Sequence, residues 1–94
     1  MAFREICEEL AELYDKKNQD YAEKGDTYKN FRENAELWDT EIWQEPLRRL
    51  TEKVVRLTNL IKSEKEPNFE SIDDSIKDIA VLAIIAMDMR RGNK

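Results

Sequence analysis

Apolar residues recur along this chain with helical period, and four stretches carry the pattern. In the first, Phe3, Ile6, Leu10, Leu13, Tyr14 and Tyr21 fall on one side of a helix expected from about Phe3 to Tyr21. Residues 22–30 contain Lys24-Gly25-Asp26 and read as a loop, and Phe31 to Trp38 reads as a short second helix. Asp39 and Thr40 are expected to cap the helix that follows, about Glu45 to Lys62, with Pro46 in its first turn. Leu47, Leu50, Val54, Leu57, Thr58 and Ile61 form its expected buried stripe. After a polar connection containing Pro67, a last helix is expected from about Ser71 to Arg91. It carries two apolar stripes, one through Ile72, Ile76, Ile79, Ala83 and Met87, the other beginning at Val81. Two apolar faces on one helix predict a central place in a bundle or at a dimer interface.

Composition narrows the picture. Ninety-four residues make one domain, 1–94, with a modest core, and 39% charged residues with two Gly and two Pro fit a small all-α bundle completed by oligomerisation. The single Cys7 excludes an intrachain disulfide, fits a reducing cytoplasm, and is expected as a small buried hydrophobe. With no histidine, Ser-His-Asp and Cys-His catalysis and His-ligated zinc are excluded. A net charge of −5 argues against a large nucleic-acid partner. The amino-terminal MAFREICEEL is too charged for a signal peptide, and the nine apolar residues from Ile79 to Met87 are too few to span a bilayer. A cytoplasmic protein with no membrane partner is the expectation.

Three polar groups lie at or beside apolar stripes. Lys17, Asn18, Asp20 and Tyr21 close the first helix. Lys17 sits inside the apolar side and therefore needs a partner or must snorkel. Lys16 lies between Glu9 and Asp20 on a flank of mixed sign. Arg49, Lys53 and Arg56, with Glu52, make a cationic stripe on the third helix. Glu70, Asp74 and Asp78 make an acidic ladder on the fourth, four residues apart, leading into the apolar run. Antiparallel pairing of the last two helices brings the two stripes together. Carboxylates are hard oxygen ligands suited to Mg²⁺, which bridges to phosphates, and Arg and Lys bind phosphate oxygens. The functional reading is a nucleotide phosphate site: Lys17, Arg49, Lys53 and Arg56 for phosphates, Glu70, Asp74 and Asp78 for metal, and Tyr21 or a tryptophan for the base. The competing reading is ordinary ion pairing between helices. Trp38 and Trp43 are expected as core or interface anchors.

Glu8-Glu9-x-x-Glu12 and Glu70-x-x-Asp73 resemble the paired EExxE and ExxD acids of MazG-type all-α nucleotide pyrophosphatases, although Glu8 and Glu12 point away from the apolar side. The segments KKNQDY, EKVVRL and ESIDDSIKDIA together resemble the nucleotide modification associated domain 1 family, found largely in phages, whose members look like short MazG-type helical proteins. Ala22 stands where that family usually has Gly, and the stretch 34–44 is longer. The resemblance implies a MazG-like fold, nucleotide binding and a phage setting, hence a host cytoplasm. Mg²⁺-dependent pyrophosphate hydrolysis, sequestration of a signalling nucleotide made by host defence, and a purely structural role are the functions to be weighed.

Overall fold

Helices form in all four places where the apolar period occurs. In a computed structural model they are α1 (Phe3–Ala22), α2 (Lys29–Trp38), α3 (Gln44–Lys62) and α4 (Phe69–Arg90). The structure describes residues 2–22, 28–63 and 69–92, apart from the side chains of 18–22 and 69–71. Among the described residues there is no strand, and the protein is a small all-α bundle. No described helix is long and apolar enough to cross a membrane.

The expected cap between α2 and α3 is corrected. Asp39 does not start α3 but ends α2, in the left-handed region at φ 53°, ψ 49°. The Thr40 N–H then reaches back to the Ala35 carbonyl at 2.9 Å, the six-to-one bond of a Schellman ending. Aspartate suits both positions, since its short side chain tolerates the left-handed region as well as an N-cap. The turn that leads into α3 is closed by Gln44, whose side-chain oxygen accepts the Glu41 N–H at 3.0 Å while its own N–H reaches the Glu41 carbonyl. Thr40 donates to Glu45 Oε2 at 2.7 Å, and Arg48 Nη2 stands 3.5 Å from the same oxygen. Pro46 occupies the first turn, where its missing N–H costs nothing, and is fully buried.

α3 and α4 form the main helix pair. Lys53 meets Asp78 and Trp43 stacks under Arg90, so the two run antiparallel in one register. Val81, Leu82 and Ala86 are buried on α4, as the stripe beginning at Val81 predicts. Ala35, Ile42 and Met89 form the tightest cluster, flanked by Tyr28, Phe31, Trp43 and Ile85. Several expected core positions are not covered. Leu47, Val54 and Ile61 of α3, Ile76 and Met87 of α4, and Phe3 and Ile6 of α1 are exposed. Cys7, expected inside, is exposed too. The tryptophans divide: Trp43 is half-buried, whereas Trp38 is exposed beneath the Arg48 guanidinium.

Candidate functional site

Three helices meet at Asp78. It stands one turn beyond Asp74 on α4, opposite Lys53 in the antiparallel register, and α1 crosses above it. Lys17 Nζ of α1 donates to Asp78 Oδ1 at 2.9 Å, and Lys53 Nζ of α3 lies 3.4 Å from Oδ2. The inward lysine of α1 thus has its partner, and each oxygen of the carboxylate faces an ammonium. Partial burial raises the pKa of Asp78, but the Lys17 hydrogen bond and charge, with those of Lys53, outweigh it. The net result lies below the ordinary 3.8, so the carboxylate is ionised at neutral pH.

From this junction a groove of about 660 Å³ opens between α1 and α4. α1 contributes Glu9, Glu12, Leu13, Lys16 and Lys17; α4 contributes Asp74, Lys77 and Asp78. Lys77 spans it, 3.6 Å from Glu9 Oε2 and 3.3 Å from Asp73 Oδ2. The hydrogen bond that Lys77 donates to Asp73 is the main reason its pKa is raised, with the charges of Asp73 and Glu9 adding to it against desolvation. Four carboxylates and three ammoniums therefore line one open surface.

The structure sorts the expected residues. Lys17, Lys53 and Asp78 converge, and of the expected residues Lys17, Asp74 and Asp78 line the groove, with Lys53 behind Asp78 on α3. Arg49 and Arg56 do not line it, and both are exposed with no carboxylate partner among the described residues. Arg56 instead borders a shallow groove of about 450 Å³ on α3 with Glu52 and Asn59. The side chains of Asn18, Asp20, Tyr21 and Glu70 lie outside the described residues. Among the described residues no three acidic side chains gather as a metal-holding group.

Two features escaped the sequence reading. Lys77 is one; its signal was the i,i+4 spacing from Asp73. The other is a hydrogen-bonded phenol pair, Tyr14 and Tyr28, at an apolar cavity of about 410 Å³ with Cys7, Val81 and Ile85 in its wall. Burial, then the bond to Tyr14, raises the Tyr28 pKa, so the Tyr28 phenol stays neutral near neutral pH. No family model matches the chain, and no curated protein or solved structure matches it.

Proposed function

We propose that the chain binds a nucleotide through its phosphates at the α1–α4 groove, as a homo-oligomer. The observation that carries this reading is the pairing of Lys17 and Lys53 on one carboxylate. An ammonium has three donors, and Asp78 engages one from each lysine. Lys17 carries its remaining donors on the wall of the open groove, beside Lys16 and Lys77, while Lys53 holds the same carboxylate from α3; ammoniums so placed suit the oxygens of a phosphoryl group. The acids beside them suit a ligand that arrives with Mg²⁺, with Asp74 as the hard oxygen ligand and Glu70 one turn before it in the ladder. In this reading Asp78 orients the two cations, because both its oxygens already face ammoniums.

That division of labour favours binding without hydrolysis. A Mg²⁺-dependent pyrophosphatase needs several acids free to hold metal and activate water. Sequestration of a nucleotide, including a signalling nucleotide of host defence in a phage-infected cytoplasm, needs only the phosphate grip. The test is thermal shift over a panel of linear and cyclic nucleotides, with and without Mg²⁺, followed by chromatography of the heat-released ligand. At least one nucleotide should raise the melting temperature and be recovered intact. Recovery of a cleaved product would replace sequestration by hydrolysis. No shift with any nucleotide would leave the charged groove as interhelical ion pairing alone.

A further inference from the structure

The side of the α3–α4 hairpin turned away from Asp78 is largely apolar and, among the described residues, exposed. In the antiparallel register, with 3.6 residues per turn, Leu47, Val54 and Ile61 of α3 lie on the same side as Ile76 and Ala83 of α4, with Met87 at the rim. Asp78 and α1 lie on the other. The three α3 residues are spaced by seven, and Leu50 and Leu57 stand between them, half-buried toward α4. This is the a/d repeat of a helix that packs against a partner helix by knobs into holes. Val54 is 42% exposed, Ile61 60% and Ile76 49%.

Two threonines on this face direct their hydroxyls to their own helix. Thr51 and Thr58 hydrogen-bond the carbonyls of Leu47 and Val54 at 3.0 and 2.9 Å. Their hydroxyls are satisfied by their own helix and their methyls add to the apolar surface.

Size argues for what covers it. The chain exposes 7564 Å², whereas a compact monomer of 11.2 kDa exposes about 5,700 Å². Its radius of gyration is 14.7 Å, against about 12 Å for a compact chain of this length. The excess, about 1,900 Å² over the whole chain, leaves room for the ~800 Å² that each partner contributes to a standard interface. A largely apolar seam of that kind, with Arg90 at its end stacked over Trp43, on a chain with more surface than its mass warrants, fits a symmetric partner better than a strongly charged one.

We infer that this face is the interface with a second copy of the chain, α3 and α4 of one protomer packing on α3 and α4 of its partner. The two charged grooves then face outward on opposite sides of the dimer, and the interface does not depend on what those grooves bind.

Sedimentation velocity on the full chain at micromolar concentration tests the assembly, and crosslinking tests the face. In a Cys7→Ser background, Val54→Cys should join two chains through a short bis-maleimide, while Glu52→Cys, on another side of α3, should not. Val54→Glu should halve the sedimenting mass or abolish folding; if it abolishes folding, the crosslinks in the folded cysteine variants decide. A wild-type chain that sediments as a monomer overturns the inference. So does a dimer that crosslinks through Glu52→Cys and not Val54→Cys, or one whose mass Val54→Glu leaves unchanged.

Discussion

Two carboxylates of this chain, Glu45 and Asp78, are each held by neighbouring donors, and their surroundings set them apart. Glu45 is 4% exposed, and its partners Thr40 and Arg48 lie within five residues of it. It locks the corner between α2 and α3, beside Pro46 and the cluster of Ala35, Ile42 and Met89. The side chain of Asp78 is 27% exposed, and its partner Lys17 is 61 residues distant. It joins three helices at the rim of an open groove. A carboxylate sealed among local partners fixes a turn. One whose cations keep spare donors toward solvent is available to a ligand. On this view damage at the corner should cost stability and spare binding, and damage at the groove should do the reverse.

The largest effect is expected at the corner. Met89 is fully buried, so Met89→Ala should cost about 2–5 kcal/mol, read as a drop in the urea midpoint at constant slope. Nucleotide affinity, measured well below the lowered melting temperature, should not change. Glu45→Ala comes next, at about 1–3 kcal/mol, because it leaves the Thr40 hydroxyl without its acceptor. Glu45→Gln keeps an acceptor oxygen and should cost less. If the two variants unfold at the same denaturant concentration, the hydrogen bond is not what holds the corner.

The same contrast shows what could be read from the chain. Helix period reveals where apolar residues are, not what covers them. Leu47, Val54 and Ile61 therefore read as core although among the described residues they are left 38–60% exposed. Local chemistry was legible where one geometry fits, as with Pro46, and misled where two fit, as with Asp39. Lys17 announced that it needed a partner, and the acidic ladder announced a need for cations. Their meeting at Asp78 depends on a contact across most of the chain, which no spacing encodes. Arg49, Lys53 and Arg56 read as one stripe, but steps of three and four residues span an arc, and among the described residues only Lys53 pairs with α4.

At the groove, Asp78→Ala leaves Lys17 and Lys53 facing each other without their shared anion. Because the site is partly exposed, the expected cost is about 1 kcal/mol, a fall in melting temperature of roughly 4–8 °C for a chain of this size. The sign of the pH dependence follows from the depressed pKa. Ionised Asp78 adds stability above its unfolded-state value, and that stability is lost as pH falls below the ordinary 3.8 and through the folded value. Thermal melts of wild type and Asp78→Asn across this range should converge toward low pH. Curves that stay parallel there would show that the lysine contacts do not contribute to stability.

The smallest effects on stability, and the sharpest on location, belong to the basic residues. Arg56→Ala removes an exposed side chain with no carboxylate partner among the described residues, so its stability should stay within about 0.5 kcal/mol of wild type. Lys17→Ala should also be mild, since its ammonium is partly solvated. Titration calorimetry with the nucleotide found by thermal shift separates them. Lys17→Ala should weaken binding about tenfold or more, the loss of one charge-assisted contact of roughly 1.5–3 kcal/mol. Arg56→Ala should change it less than about twofold, because Arg56 borders the α3 groove with Glu52 and Asn59 and not the one at Asp78. The opposite ranking would move the phosphate site from the α1–α4 groove to α3, and would make the Lys17–Asp78–Lys53 junction a clasp of the same structural kind as Glu45.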